Sequence, residues 1–197
     1  MNLIDIRRNL AYRITNPIVG ILSKSGITPN ALTLINLALN IVAAYVIATN
    51  HLILGGVLVL VSGLFDLLDG ALARFTKQTT RFGAILDSTV DRISEAAILC
   101  GLLIWYVPHE GAILKIVLIF VVLIGSFLVS YIRARAEGLG WQCQVGLFTR
   151  AERVIVLAIG LLINQIFIAL CVLAVFVFIT VVQRLVYLWK QGKINGD

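Results

Sequence analysis

Residues 65–92 read FDLLDGALARFTKQTTRFGAILDSTVDR, and the rest of the chain is organised around this stretch. It carries four carboxylates in a very apolar chain, two before a short basic link and two after it. Asp66 and Asp69 are three residues apart, so they share one face of a helix. Asp87 and Asp91 are four apart and share a face of the next helix. The stretch therefore predicts two antiparallel helices that present carboxylate pairs toward each other.

Small residues accompany these carboxylates. Gly83 lies one turn before Asp87 on the same face. Gly70 and Ala73 continue the face of Asp66, and their small size lets a ligand approach closely. Carboxylate oxygens are the donors of hard divalent cations, and Mg²⁺ fits best because it completes its shell with water and phosphate. We expect a Mg²⁺ site, with Mn²⁺ as the alternative ion.

The stretch resembles the signature of the CDP-alcohol phosphotransferase (phosphatidyltransferase) family at all eight of its positions, which are Asp66-x2-Asp69-Gly70-x2-Ala73-Arg74-x8-Gly83-x3-Asp87-x3-Asp91. The resemblance implies an integral membrane enzyme. Such an enzyme moves a phosphatidyl-type group from a CDP-linked lipid to an alcohol and releases CMP. The resemblance also implies a homodimer.

The same resemblance assigns roles to residues. The implied metal ligands are Asp66, Asp69, Asp87 and Asp91. Asp91 is also the implied catalytic base on the acceptor hydroxyl. A second stretch, Thr28-Pro29-Asn30-x2-Thr33, resembles the family's first-helix element beside the nucleotide. The residues implied for binding the CDP-lipid donor are Asn30, Thr33, Asp69, Gly70, Ala73, Arg74 and Gly83. Four close carboxylates repel one another strongly without cations, so a site without them is expected to be loosened.

Composition places the chain in a membrane. Of its 197 residues 60% are hydrophobic and 13% charged, and the mean hydropathy is +1.00. A soluble domain of this size cannot cover so much apolar surface, so the composition predicts a polytopic α-helical membrane protein. The net charge of +6 invites a nucleic-acid partner. We exclude one because the basic residues cluster at the ends of apolar runs, as membrane topology requires.

The predicted fold is all-α, with six transmembrane helices and an N-terminal interfacial amphipathic helix. The predicted spans are about 30–49, 52–74, 83–106, 112–134, 148–163 and 165–188. Residues 1–27 form the interfacial segment, in which Leu3, Ile6 and Leu10 recur at helical spacing. Residues 28–197 form the membrane domain, and Thr28-Pro29 is a typical helix start.

The last apolar stretch, 154–182, requires a choice between one helix and two. One helix would be about 43 Å long, too long for a core of roughly 30 Å. Asn164-Gln165 is the polar break, so we predict that the helices divide there. Fifteen of the 16 Lys and Arg residues then fall on one side of the membrane, and Lys115 alone lies near the other. This distribution predicts a multi-pass protein of the cell membrane with both termini and the active site facing the cytoplasm.

Arginines around the loop after the fourth span indicate the acceptor. Guanidinium groups bind phosphates in a bidentate manner. The pattern resembles the branch of the family that makes phosphatidylinositol phosphate, or its archaeal ether-lipid counterpart, from inositol phosphate and CDP-diacylglycerol or CDP-archaeol. The implied acceptor-phosphate residues are Arg133, Arg135, Arg153 and Arg184. Arg133 and Arg135 are about 200° apart on a helix, so both reach one phosphate only if the helix frays.

Two other functions fit parts of the sequence. Glycerol 3-phosphate is also a phosphomonoester that needs a basic pocket, which would make the chain a phosphatidylglycerol phosphate synthase. A cation-coupled transporter would also carry aspartates within the membrane. That alternative gives no reason for the Gly-Ala-Arg spacing between the two aspartate pairs.

Overall fold

The chain is seen in a computed structural model that describes residues 18–24 and 26–195. These residues form helices joined by turns and loops, and they contain no strand. The main helices are α1 (Pro29–Ala48), α2 (Leu52–Phe75), α3 (Arg81–Tyr106), α4 (Ala112–Gly138), α5 (Arg150–Leu162) and α6 (Ile166–Asn195). The all-α prediction is confirmed for the part of the chain that is described.

Local sequence explains where the helices begin and end. The Thr28 side chain caps α1 by accepting a hydrogen bond from the Ala31 N–H at 3.2 Å, and Pro29 occupies the first turn. Between α5 and α6, Asn164 adopts a left-handed conformation with a φ of 54°, which asparagine tolerates better than most residues. The predicted division at 164–165 is therefore confirmed.

Two helices run further than predicted. α4 ends at Gly138 rather than near residue 134, and α6 ends at Asn195 rather than near residue 188. In the last turns of α4, Arg133 Nε donates to Glu137 Oε1 at 2.8 Å, an i,i+4 ion pair that favours continued helix. The predicted bounds followed the apolar runs, whereas these helices continue into polar sequence.

The six helices form a closed ring. α1 contacts α2 and α3, α3 contacts α4, α4 contacts α6, α6 contacts α5, and α5 contacts α2. Several connections are short enough to reverse the chain at once, among them residues 49–51, 107–111 and 163–165. The start of α1, the end of α2 and the start of α3 consequently lie at one end of the ring.

The apolar core fills the centre of this ring. Every main helix contributes to it, and its members include Ile47, Val59, Leu102, Val122, Leu161 and Leu170. Between α1 and α2, the Ser62 hydroxyl donates to Asn36 Oδ1 at 2.8 Å. Asn40 Nδ2 donates to the Asn36 carbonyl at 2.8 Å, so these buried polar groups are satisfied within the bundle.

Four of the six helices, α1, α2, α4 and α6, are long and apolar enough to cross a membrane. α5 has 13 residues and is about 20 Å long, shorter than a bilayer core. α3 has 26 residues, and its first half carries Arg81, Asp87, Asp91 and Arg92. Both helices that depart from a simple span thus carry charged residues at one end of the ring.

The predicted interfacial helix lies mostly outside the described residues, because residues 1–17 and 25 are not among them. The part that is described includes a helical turn over 18–22. In it Val19 is 1% exposed and packs with Leu32 of α1 and Leu72 of α2. This turn is therefore packed against the bundle.

Gly101 marks the closest approach of α3 to α1. A Cβ atom at this position would lie 2.4 Å from the carbonyl oxygen of Ala44, which is backbone and cannot move aside. We expect Gly101→Ala to destabilise the bundle by about 1–3 kcal/mol through overpacking. Thermal unfolding in detergent measures this, and Gly138→Ala is the matched control because nothing lies within 4 Å of its Cβ. Equal melting temperatures for the two variants would contradict the tight contact.

Candidate functional site

Three aspartates meet between the end of α2 and the start of α3. Carboxylate oxygens of Asp66, Asp69 and Asp87 lie within 4.8 Å of one another. The spacing along each helix explains this, because each helix turns its carboxylates toward the other. An all-oxygen set of this size and charge fits a hard divalent cation such as Mg²⁺ or Mn²⁺.

Asp69 is the most buried of the three aspartates, with 5% of its surface exposed, and it is contacted by Thr33 of α1. Thr33 Oγ1 lies 2.9 Å from Asp69 Oδ2 and 3.1 Å from the Pro29 carbonyl, so its single proton is shared between two acceptors. This contact fixes the start of α1 beside the three carboxylates. The predicted involvement of the Thr28–Thr33 element at the site agrees with this position.

A cavity of about 160 Å³ opens beside Asp69 and Asp87, and we call it the α1–α3 cavity. The structure brings all seven residues predicted for the CDP-lipid donor to its wall, namely Asn30, Thr33, Asp69, Gly70, Ala73, Arg74 and Gly83. At Gly83 a Cβ atom would lie 2.9 Å from Thr80 Oγ1 and 3.2 Å from Asn30 Oδ1. The absence of a side chain at Gly83 therefore keeps the cavity open, and a larger residue would narrow it.

Asp91 lies apart from the three-carboxylate group and is paired with Arg150. Arg150 Nη1 forms ion pairs with both Asp66 and Asp91. The predicted mutual repulsion of the four aspartates is thus offset by a cation from α5. Asp91, predicted as a fourth metal ligand and as the base, lies one helical turn beyond Asp87 and beside this arginine.

On the other side of Asp87 is a larger cavity of about 590 Å³, which we call the basic cavity. Its charged lining consists of Arg92, Arg133, Arg150, Arg153, Arg184, Asp87, Asp91, Glu95 and Glu137. Three of the four arginines predicted for the acceptor phosphate therefore meet here. Arg135 does not line it, because α4 remains helical through Gly138 and turns the exposed Arg135 side chain to another face.

Two of these arginines are buried and held in place. Arg153, 4% exposed, donates from Nε and Nη2 to the two carboxylate oxygens of Glu95 at 2.7 and 2.8 Å. Arg184, also 4% exposed, donates from Nε to the Val145 carbonyl at 2.9 Å and from Nη1 to the Val129 carbonyl. Arg133 differs, since it is exposed and pairs with Glu137.

Arg150 and Glu95 were not predicted as site residues. Glu95 follows Asp91 by four residues, as Asp91 follows Asp87, so helical spacing alone extends the acidic face of α3 to it. Arg150 is the first residue of α5 and lies three residues before Arg153, on a neighbouring position of the same face. Both residues could therefore have been predicted from the sequence, because each shares a helix face with a residue that was predicted to lie in the site.

A third cavity, of about 210 Å³ and mainly apolar lining, lies between α2, α3 and α5. Its apolar walls include Leu60, Leu64, Leu67 and Ile155, and it reaches Asp66 and Arg150. The charged residues thus border three cavities, of which two are polar and one is apolar.

Comparison with known proteins agrees with this geometry. The family model for CDP-alcohol phosphatidyltransferase matches residues 26–186 of the chain. The chain is 37% identical over 188 residues to the phosphatidylinositol phosphate synthase of Mycobacteroides abscessus, covering 91% of this chain and 86% of that protein. It is 40% identical over 164 residues to the archaetidylinositol phosphate synthase of Pyrococcus horikoshii, covering 83% and 84%.

The fold is also similar to that of the phosphatidylinositol phosphate synthase of Mycobacterium tuberculosis, which is 36% identical. Its crystal structure with CDP-DAG bound gives a TM-score of 0.81 and covers 90% of this chain and 94% of its own. Its structure in complex with manganese and citrate gives 0.82, with coverage of 89% and 88%.

Proposed function

This chain belongs to the CDP-alcohol phosphatidyltransferase family, and from that premise we propose that it transfers a phosphatidyl or archaetidyl group from a CDP-linked lipid to inositol phosphate. CMP is the second product. The chain is thus an enzyme of phospholipid synthesis, and the relatives that it matches are phosphatidylinositol phosphate and archaetidylinositol phosphate synthases. The donor is CDP-diacylglycerol or CDP-archaeol.

One observation carries the proposal: the α1–α3 cavity and the basic cavity share Asp87. The first is small and bordered by glycines and carboxylates, which suits the cytidine diphosphate end of the donor. The second is lined by five arginines, which suits the phosphate of the acceptor. Donor and acceptor held in the two cavities would meet at the carboxylates between them.

The three-carboxylate group supports a divalent cation, which we propose is Mg²⁺, held by Asp66, Asp69 and Asp87. When bound, the cation would neutralise charge on the donor's pyrophosphate. Thr33 orients the buried Asp69, since its hydroxyl is within hydrogen-bond distance of that carboxylate. Arg74 lines the α1–α3 cavity and would contact the donor's phosphates there.

The transfer itself needs a base beside the acceptor hydroxyl. We assign this role to Asp91, which lines the basic cavity one turn from Asp87. The hydroxyl oxygen forms a bond to the phosphorus that carries the lipid, and the bond from that phosphorus to CMP breaks. The hydroxyl proton passes to Asp91, and the bonding electrons leave with CMP.

We further propose the membrane arrangement. All six main helices lie across the bilayer, with the charged end of the ring at the cytoplasmic face and the donor's chains near the apolar cavity. The distribution of Lys and Arg supports this orientation of a multi-pass cell-membrane protein with cytoplasmic termini. The domain that crosses the membrane is 28–197, and the enzyme acts as a homodimer.

Purified protein in lipid with CDP-diacylglycerol and Mg²⁺ tests the proposed function through CMP release, with one acceptor added at a time. We expect release with inositol phosphate, none without acceptor and none with chelator. Release with glycerol 3-phosphate but not inositol phosphate would keep the reaction and overturn the acceptor. An absence of CMP with any acceptor, repeated with CDP-archaeol, would overturn the proposed function.

Arg153 should contribute to acceptor binding although Glu95 already occupies two of its five N–H donors. We expect Arg153→Ala to raise the acceptor KM about tenfold or more and leave the donor KM nearly unchanged. It should also cost about 3 kcal/mol of stability, because Glu95 loses its partner while buried. Steady-state kinetics and thermal unfolding measure the two effects.

Arg135→Ala is the matched control, since it removes the same charge from the end of α4, outside the basic cavity. Its acceptor KM should stay near that of the wild type. An Arg153→Ala protein that remains folded with an unchanged acceptor KM would remove Arg153 from the acceptor site.

A further inference from the structure

Arg150 contacts the carboxylates that the reaction uses. Its Nη1 atom forms ion pairs with Asp66, a member of the three-carboxylate group, and with Asp91. The same side chain lines the basic cavity together with Arg133, Arg153 and Arg184. Arg150 thus stands between the place proposed for the divalent cation and the place proposed for the acceptor phosphate.

The other arginines of the basic cavity have different partners. Arg153 is held by Glu95, and Arg184 by two backbone carbonyls. Arg92 donates from Nη1 to the Ser88 carbonyl of its own helix. Arg133 pairs with the exposed Glu137 at the cavity's edge. Among the described ion pairs, those of Arg150 therefore involve both a proposed metal ligand, Asp66, and the proposed base, Asp91.

Position on the helix adds to this distinction. Arg150 is the first residue of α5, where the helix dipole favours anions and disfavours cations. Glu152 meets that preference by accepting from the Thr149 N–H at 2.9 Å. A cation at the first position gains nothing from the helix itself, so its favourable interactions come from nearby carboxylates, of which Asp66 and Asp91 form ion pairs with it.

A guanidinium group and a divalent cation need the same charge on Asp66. Both reduce repulsion among the aspartates, and the two cations repel each other. We propose that Arg150 is an internal counter-ion of Asp66 when the divalent cation is absent. When the cation binds Asp66, the Arg150 guanidinium leaves that carboxylate and binds the acceptor phosphate in the basic cavity. Cation binding and acceptor binding are thereby coupled, and this coupling deepens the proposed function on which it rests.

Two measurable consequences follow. Removing the guanidinium removes a competitor, so the site should bind a divalent cation more tightly. The wild-type protein should bind inositol phosphate more tightly when the cation is present, and the cation should bind more tightly by the same factor when inositol phosphate is present. Without Arg150 that reciprocal factor should fall toward one.

The experiment measures Mn²⁺ affinity of the full chain in detergent by electron paramagnetic resonance, with and without inositol phosphate. We expect Arg150→Gln to bind Mn²⁺ about tenfold more tightly than wild type, the effect of roughly 1.4 kcal/mol. Arg133→Gln is the control for Mn²⁺ binding without inositol phosphate, because it removes the same charge from the same cavity and pairs with Glu137 rather than Asp66. Arg150→Lys keeps a positive charge and should remain close to wild type.

Unchanged or weaker Mn²⁺ binding in a folded Arg150→Gln protein, relative to Arg133→Gln, would overturn the counter-ion role. If Arg150→Gln does not fold, inositol phosphate affinity is measured with and without Mn²⁺ in the wild type and in Arg150→Lys. An affinity that Mn²⁺ does not change in either protein would overturn the coupling. CMP release by the same wild-type preparation separates the two proposals. A preparation that releases CMP but shows no coupling overturns only the role of Arg150.

Discussion

Asp91→Asn should lower kcat about a thousandfold while leaving the affinity for the CDP-lipid donor nearly unchanged. Asparagine has almost the same shape as aspartate but cannot take the proton of the acceptor hydroxyl, and a general base contributes on the order of 10²–10⁴ in rate. Asp91 does not belong to the three-carboxylate group and does not line the α1–α3 cavity. Its loss should therefore affect the chemical step more than donor binding.

CMP release gives kcat for this variant, and titration with the CDP-lipid gives donor affinity. Glu110→Gln is the control, since it neutralises an exposed acid in the turn after α3, at the other end of the ring. If donor and Mn²⁺ binding disappear together with turnover, Asp91 acts mainly as a ligand, and its assignment as base is wrong.

Asp87→Asn should abolish turnover by a different route. Asp87 is the charged residue that both polar cavities share, and its carboxylate is within 4.8 Å of Asp66 and Asp69. Neutralising it removes one of the three anions proposed to hold the cation. We expect Mn²⁺ affinity to fall by about a hundredfold or more, a loss of roughly 2.8 kcal/mol or more, and donor affinity to fall with it.

Calorimetric titration with Mn²⁺ and then with CDP-lipid distinguishes this variant from Asp91→Asn. The two acids lie one turn apart on α3, yet their substitutions should differ in effect. Asp87→Asn should weaken the binding of both Mn²⁺ and the donor, whereas Asp91→Asn should leave both affinities near those of the wild type. Wild-type Mn²⁺ affinity in Asp87→Asn would remove Asp87 from the cation site.

Much of the site could be predicted because its residues are close in sequence as well as in space. The i,i+3 and i,i+4 spacings placed Asp66, Asp69 and Asp87 on facing helices, and the structure brings them together. The resemblance to the family added residues of the α1–α3 cavity that lie far from the aspartates in sequence, such as Asn30 and Thr33.

The remaining partners could not be predicted because they depend on how distant helices pack. Arg150 and Asp66 are 84 residues apart, and Arg153 and Glu95 are 58 apart. Helical periodicity says which face a side chain occupies but not which helix that face meets. The ring order, in which α5 lies between α2 and α6, supplies this information.

Helix phase decided between two predicted acceptor residues. Arg133 and Arg135 are two positions apart, and only a frayed helix would turn both toward one phosphate. The structure continues α4 to Gly138, so Arg133 reaches the basic cavity and Arg135 does not. The end of the apolar run predicted the end of the membrane span near residue 134, but α4 continues beyond it.

The claim that the two cavities join a CDP-lipid to inositol phosphate is tested by a competition between acceptors. The protein receives CDP-diacylglycerol, Mg²⁺ and equal concentrations of inositol phosphate and glycerol 3-phosphate, and mass spectrometry measures the ratio of lipid products. This ratio reports the ratio of kcat/KM for the two acceptors. We predict that phosphatidylinositol phosphate dominates, whereas a product that is mainly phosphatidylglycerol phosphate would contradict the claim.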